Sequence, residues 1–456
     1  MVSAGTSRRR FLGGAAAILA DAATAQLRAA PAVVRQRSLP LATARGPRLA
    51  IVGGGIAGLT IAKYARLAEP RFDVVLLDAV ARYVPGIGAN WAFALGDMAL
   101  LAARSYEAAA RAAGYAFVQA RCLGLDAPAR RLVTDRGDLA YDYLVIAPGI
   151  DYDWGRIGAS DSATADQLQR RYPGGFRSAD ETVHLRRKLR EFRGGLFVQT
   201  VPPGNFRCAA APYERVCLIA ASFRRRRLKA KVLLLDHGPD IASMPTGFAA
   251  AFAELYPDLI EYRPSFEIRR VDPDARRIES EFETISFDDA SIYPPVRAAR
   301  LLETLGLADL ASIDKAAAID WRRYHAIGDE RVYVAGDARP HGYARGAATA
   351  YSEGRYLAEC LAAHWRGEEI PWRSPRSECY ALVNPEPAEA IHFRTEYALD
   401  ASGRGIAALS ATERAEKRSA ELAQAAFRST RDLLEDLAPQ ANGRDRRPAL
   451  NSPAPP

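Results

Sequence analysis

Cysteine, histidine and methionine are scarce in this chain: five, six and three residues among 456. Five cysteines cannot staple a chain of this length, and the odd number leaves one outside any intrachain pair. The histidines are scattered, and the spacings Cys208–Cys217 and Cys360–Cys379 form no tight cluster. A zinc or haem site built from neighbouring ligands is therefore excluded. No apolar run after the first residues approaches the roughly 20 needed to span a bilayer. Nor is there a lysine-rich block of the kind that marks a nucleic-acid tail. The formal net charge of +8 comes mostly from dispersed arginine, so it suits an acidic partner or an anionic substrate without choosing between them. With 49% hydrophobic and 25% charged residues the chain is globular, and its length calls for two or three domains.

What is present is organised around Arg48 to Asp78. Leu49-Ala50-Ile51-Val52 reads as a short buried strand. Gly53, Gly55 and Gly58 fill a G-x-G-x-x-G pattern, an alanine-rich helix follows, and a second apolar strand, Val74 to Leu77, ends in Asp78. The first glycine permits a tight turn, the second admits a pyrophosphate, and the third lets helix and strand pack closely. Unpaired N–H groups at the helix start favour phosphate, and Asp78 stands where a carboxylate would hold a ribose hydroxyl.

A second signal lies far downstream. Arg331 to Ala335 reads as a buried strand ending in Gly336-Asp337, followed by a glycine-rich turn and a helix from Ala347 to His364. Asp337 can accept a ribityl hydroxyl. Between the two signals, Tyr141 to Ile146 is a strand ending in Pro148-Gly149, which returns the chain to the first domain and brings Gly149 to the cofactor. Together these segments favour FAD over NAD, and they require the middle of the chain to be an insertion. The inserted strand Gly195 to Val201 runs into Pro202-Pro203 where a nicotinamide-binding turn would have glycines. Proline has no N–H to offer a phosphate, so a second dinucleotide is disfavoured.

At the ends, Ser7-Arg8-Arg9-Arg10-Phe11-Leu12-Gly13 resembles a twin-arginine export motif, with a short apolar segment and Ala23-Thr24-Ala25 as a cleavage site. Asp151 to Arg177 reads as a linker. Alternation around Ser377 to Val383 and Ile391 to Phe393 suggests strands in a small C-terminal domain. A helix rich in Ala, Glu and Arg is expected after Ala411, running to about Leu437, before a proline-rich tail.

Several of these pieces together resemble one family: the flavoprotein subunit of flavocytochrome c sulfide dehydrogenases, within the wider group of sulfide:quinone oxidoreductases and FAD-dependent pyridine nucleotide-disulfide oxidoreductases. The likeness rests on the leader, on Val52-Gly53-Gly54-Gly55-Ile56-Ala57-Gly58, on Pro203-Gly204-Asn205-Phe206-Arg207-Cys208 with Pro212-Tyr213-Glu214-Arg215, on Val332-Tyr333-Val334-Ala335-Gly336-Asp337-Ala338, and on Glu378-Cys379-Tyr380-Ala381-Leu382-Val383. It covers roughly residues 45 to 400.

The resemblance implies an α/β fold of two Rossmann-like dinucleotide-binding domains in the glutathione-reductase manner, the second inserted in the first, plus a small α+β C-terminal domain. The expected division is a Tat-type signal peptide at 1–30, FAD-binding parts at 45–153 and 288–365, a second Rossmann-like domain without NAD at 154–287, a C-terminal flavin-side domain and helix at 366–430, and a disordered tail at 431–456. The expected cofactor contacts are Gly53, Gly55, Gly58, Asp78, Gly149, Gly336 and Asp337, with no metal.

In the resembled enzymes a cysteine pair beside FAD takes electrons from sulfide, and these leave to a c-type cytochrome in the periplasm. Cys208 matches the first of that pair. The second is expected just before the Gly-Asp strand, where this chain has Ala317, so Cys208 is left to pair with Cys217 or Cys360 or to stand free; Cys208 and Cys217 are the candidate catalytic residues. The family's flavin-linking cysteine is replaced by Gly86, with Asn90 following, so FAD is expected to be non-covalent. His341 stands in the region of the family's loop lysine. Two readings stay open. One is a Tat-exported periplasmic FAD oxidoreductase acting on a small reduced sulfur compound with a cytochrome partner, without nucleic acid or a transmembrane segment. The other is a catalytically degenerate paralogue serving as an accessory subunit of a sulfur-oxidation complex. A disulfide reductase using NADPH would need a second glycine-rich turn and a close cysteine pair near the first helix.

Overall fold

The computed structural model describes residues 38–96, 98–403 and 405–440. The twin-arginine leader and the end of the proline-rich tail lie outside these residues.

The chain begins as the glycine pattern demands. Strand β1 (Arg48–Val52) runs into helix α1 (Ile56–Ala68), then β2 (Asp73–Asp78), β3 (Ala116–Gln119) and β4 (Tyr143–Ile146). It then leaves this sheet to build a second one from β5 (Gly195–Val201), helix α2 (Ala211–Arg225), β6 (Ala230–Asp236), β7 (Ile260–Arg263) and β8 (Asp289–Ser291). It returns to the first sheet with β9 (His325–Ala326) and β10 (Asp329–Val334), and helix α3 (Ala347–Arg366) follows. The order in the first sheet is β9-β10-β4-β1-β2-β3, and in the second β7-β6-β5-β8. All neighbours are parallel except β9 with β10. Both sheets read as unbroken apolar runs because helices cover both faces of a parallel sheet. This is the α/β architecture with an inserted second Rossmann-like unit that the two glycine turns required.

The C-terminal part is an antiparallel sheet of β11 (Ser377–Pro385), β12 (Ala388–Leu399) and β13 (Ile406–Ser419), followed by helix α4 (Ala420–Leu437). The helix expected from Ala411 thus starts at Ala420. Composition favours helix across Ala411 to Ser419, but pairing with β12 keeps that stretch extended until Ser419, whose side chain caps α4 by accepting from the Leu422 N–H. The expected linker Asp151 to Arg177 is also largely ordered structure. It contains a helix at Ser162–Arg171, capped by Asp161, and a short strand at Ile150–Tyr152 that pairs with Val296–Ala298.

Two close approaches fix the first sheet against its helices. A Cβ on Gly58 would lie 1.8 Å from the Gly53 carbonyl oxygen, so only glycine lets α1 start this near β1. Gly53 has φ of 106°, and a Cβ there would meet the Ala147 carbonyl oxygen at 2.3 Å. Gly58→Ala is therefore expected to destabilise the protein by about 3 kcal/mol through forced backbone displacement. Thermal unfolding would read this as a clearly lowered midpoint, and an unchanged midpoint would refute the steric account.

Candidate functional site

The first cradle is the turn between β1 and α1. Asp78 at the end of β2 fastens it: Oδ2 accepts the Gly54 N–H at 2.6 Å and Oδ1 accepts the Val80 N–H at 3.0 Å. Helix α1 starts at Gly55 with no side-chain cap, and a Cβ added at Gly55 would meet nothing within 4 Å. Open space also lies beside Gly149, at φ 79°, and beside Gly346, the uncapped start of α3. Open space at three glycines, two of them at uncapped helix N-termini, fits an extended ligand carrying a pyrophosphate.

The acidic turn Gly336–Ala338 follows β10. Here Asp337 Oδ2 lies 3.0 Å from the Arg207 Nε. Behind it, the fully buried Glu353 on α3 accepts the Gly336 N–H at 3.2 Å and the Arg339 Nε–H at 3.0 Å. Burial pushes the Glu353 carboxyl up to about 7, against the opposing pull of Arg339. Arg339 is fully buried too, and its guanidinium lies over the Tyr343 ring. His341 is exposed in this loop, and desolvation together with Arg345 lowers its pKa from the usual imidazole value, which weakens it as a source of positive charge.

Cys208 sits in the turn that leads into α2. It holds a left-handed conformation, φ 56°, that non-glycine residues rarely adopt. Its N–H donates to the Arg345 carbonyl at 2.7 Å, and its carbonyl accepts the Ala211 N–H at 2.9 Å. The adjacent Arg207 backbone is gripped by the Tyr293 hydroxyl, which accepts from its N–H at 2.9 Å and donates to its carbonyl at 3.1 Å. The thiol facing Cys208 belongs to Cys379 on β11. A side-chain hydrogen bond from Cys379 lowers the Cys208 pKa, assisted by Arg207 and the Ala211 N–H at the start of α2. The same hydrogen bond, with burial, raises Cys379 well above the usual thiol range. Within the pair Cys208 is thus the more readily deprotonated thiol and Cys379 the less, although burial and Glu214 oppose the lowering at Cys208.

Glu214 explains how β11 comes to lie here. It is buried in the first turn of α2, where Oε1 accepts the Trp91 Nε1–H at 3.0 Å and the Leu382 N–H at 2.9 Å, and Oε2 accepts Asn90 Nδ2–H at 2.8 Å. Leu382 lies three residues beyond Cys379 on the same strand, so this bond pins β11 across the cysteine turn.

The sequence left Cys208 to pair with Cys217 or Cys360 or to stand free, and the thiol that neighbours it is neither of these two. Ala317, where a second cysteine was sought, is a buried core residue. Cys217 is fully buried on α2 among apolar neighbours, its thiol raised by burial, and it is not the group that meets Cys208. Cys360 is buried in α3, raised to about 11, with Tyr356 as its hydrogen-bond partner. Among the described residues all five cysteines are free thiols, and no group of acidic, histidine or cysteine side chains could hold a metal. In the sequence Cys379 stood in an alternating strand and in a stretch resembling the family's flavin-side domain, and neither signal names a partner.

The inserted unit has a corresponding acidic strand end. Asp236 at the end of β6 is taken by the Tyr213 hydroxyl at 2.6 Å, the Tyr262 hydroxyl at 3.1 Å and the Gly238 N–H at 2.8 Å. Pro202 and Pro203 remove phosphate-binding N–H groups from the preceding turn.

A model of the central part of the sulfide dehydrogenase [flavocytochrome c] flavoprotein chain matches residues 182–294, the stretch carrying Cys208 and Glu214. Over this stretch the chain is similar to the flavoprotein chain of these sulfide dehydrogenases. The mitochondrial sulfide:quinone oxidoreductase of Dictyostelium discoideum is 22% identical over 191 residues, 40% of this chain and 41% of that protein, so the match spans about two fifths of the relative's length. The sulfide:quinone oxidoreductase of Aquifex aeolicus shares the fold, with a TM-score of 0.69 and 13% identity over 86% of this chain and 91% of that one. Putidaredoxin reductase, solved in a covalent complex with putidaredoxin, shares it at a TM-score of 0.59 and 14% identity, over 77% and 82% of the two chains.

Two outcomes follow from the electrostatics. Near neutral pH, a brief exposure to iodoacetamide is expected to alkylate Cys208 ahead of Cys122, Cys217 and Cys360, whose thiols burial raises. Cys379→Ala, which removes the lowering hydrogen bond, is expected to slow that labelling; peptide mass mapping reads both, and equal labelling would overturn the assignment. Glu353 binds its proton more tightly in the folded state, so its contribution to stability is complete below about pH 4.5 and is lost as pH rises to about 7. Urea unfolding across that range should show stability falling with pH from this group, and Glu353→Gln should flatten that component; an unchanged slope would remove Glu353 as its source.

Proposed function

We propose that this chain is an extracytoplasmic FAD-dependent oxidoreductase that takes an electron pair from a small reduced sulfur compound through Cys208 and Cys379 and passes electrons on to a c-type cytochrome. The observation that carries this reading is the placement of Cys208 in a left-handed turn at the start of α2, next to Arg207, whose guanidinium pairs with Asp337 at 3.0 Å, with Cys379 as the neighbouring thiol. The degenerate-paralogue reading rested on a missing second cysteine, and Cys379 removes that ground. FAD would be held by the Gly53–Gly58 turn, Asp78, Gly149, Gly336 and Asp337, and would supply an acceptor able to take two electrons and release them singly. Gly86 at the position of the family's linking cysteine supports non-covalent attachment. Export rests on the twin-arginine pattern at Arg8-Arg9. Among the described residues no helix is long and apolar enough to cross a membrane.

The side chains support a definite polarity. In the oxidised pair, hydrosulfide attacks the Cys379 sulfur, the S–S bond breaks, Cys379 becomes a persulfide, and Cys208 leaves with the electron pair as thiolate. The group with the lower pKa is the better leaving group. Arg207 and the first N–H of α2 stabilise the charge that develops on Cys208. Tyr293, gripping the Arg207 backbone, holds that thiolate in place.

The test is anaerobic titration of purified protein with sulfide while flavin absorbance is followed, then addition of oxidised cytochrome c. The expected result is a yellow protein bleached by sulfide and reoxidised by cytochrome. Cys208→Ser and Cys379→Ser should each keep the flavin and lose bleaching by a factor on the order of a thousand. A colourless protein, or a flavin that sulfide never bleaches, would end the sulfide-dehydrogenase reading.

A further inference from the structure

Arg345, in the turn before α3, is buried and has no part in the chemistry described above. Its guanidinium reaches four separate points. Nε donates to the Asp337 carbonyl at 2.9 Å, Nη1 to the Asn205 carbonyl at 2.7 Å, and Nη2 to Asp314 Oδ2 at 2.7 Å and to the Arg339 carbonyl at 3.4 Å. Its own carbonyl accepts the Cys208 N–H at 2.7 Å, within a parallel bridge between Arg207 and Arg345. One residue therefore grips the acidic turn after β10, which belongs to the first sheet, and both ends of the segment Asn205 to Cys208, which belongs to the inserted unit.

We propose that Arg345 is the positioning residue that registers the Cys208 turn against the Asp337 turn, so that the cysteine pair and the cofactor site act as one centre. This rests on the reading of Cys208 and Cys379 as the redox pair. The chemistry of the side chain suits the task. A planar guanidinium presents five donors in a fixed fork, and here the donors run to three carbonyls on two chain segments while Asp314 neutralises its charge. An ammonium is a single point and cannot hold these directions at once. Cys208 has a left-handed backbone, which persists only where its surroundings over-determine it, and the Arg345 carbonyl is one of the two groups that fix it. Loss of the fork would let the cysteine turn relax away from both Cys379 and Asp337 without removing any reacting atom.

The test uses the purified full chain with Arg345→Lys and, separately, Asp314→Asn. Three quantities are compared with the wild type: thermal unfolding, the rate at which diamide closes the Cys208–Cys379 disulfide in prereduced protein, and the rate of flavin bleaching by sulfide. Diamide takes up the two electrons and two protons that the thiols release, and peptide mass mapping reads the disulfide. Arg345→Lys is expected to fold cooperatively and to slow both closure and bleaching by on the order of tenfold to a hundredfold, the loss that a displacement of about 1 Å produces. Asp314→Asn, which leaves the fork without its counter-charge, should slow both by a smaller factor. A lowered unfolding midpoint with both rates at the wild-type value would mean a purely structural role and overturn the proposal. Should Arg345→Lys fail to fold, Asp314→Asn carries the test on the same two rates, and unchanged rates there overturn it. A wild-type protein that sulfide never bleaches, but whose disulfide closure still depends on Arg345, would sink the proposed function and leave the positioning role standing.

Discussion

The buried carboxylate of Glu214 is the interaction on which the site depends. It gathers donors from two stretches that are remote from it in sequence: Asn90 and Trp91 from the loop after β2, and Leu382 from the C-terminal sheet. Burial alone raises its pKa, and each of the three donors acts in the opposite direction. A buried acceptor that lost one of them would leave an unpaired polar group, costing about 1–3 kcal/mol. The cost ties the C-terminal sheet to the inserted unit at one defined register. A shift of β11 by one residue would turn Cys379 to the opposite face of the sheet, because side chains alternate along a strand. Glu214 thus converts a folding constraint into the alignment of two thiols.

The same region concentrates unfavourable features that the fold offsets elsewhere. Cys208 is held left-handed, Arg339 and Arg345 are buried cations, and Glu353 is a buried acid with its pKa pushed up to about 7. Each cation has a carboxylate at hydrogen-bond distance, Glu353 for Arg339 and Asp314 for Arg345. Replacing such pairs with packed apolar side chains would often be neutral or stabilising, so their stability value does not account for them. What they add is directional: carbonyls of the 336–346 loop are held at fixed angles around the acidic turn. Against this cost stands a conventional α/β frame whose central strands β1, β2 and β4 are almost wholly buried.

Local signals in the sequence were legible and distant ones were not. Gly53, Gly55, Gly58 and Asp78 could be read because their chemistry plays out within one strand-turn-helix. Gly336-Asp337 could be paired with them because both motifs demand the same sheet. Pro202-Pro203 could be read because a missing N–H is a property of the residue. Cys379 was out of reach of that reasoning, since its partner is chosen by how β11 crosses α2, and that depends on Glu214 finding the Leu382 N–H. The search for a second cysteine near Ala317 followed sequence position where tertiary contact decides. For Ala411 to Ser419 the error ran the other way: local helix propensity was read correctly, and pairing with β12 overrode it.

The charge layout around Cys208 argues that the two halves of the centre were shaped together. Arg207 is paired to Asp337 at 3.0 Å, and its charge also lowers the pKa of the adjacent Cys208. The thiol and the acidic turn therefore share one guanidinium, so that a change of charge on either alters the field at the other, and by linkage the dependence runs in both directions.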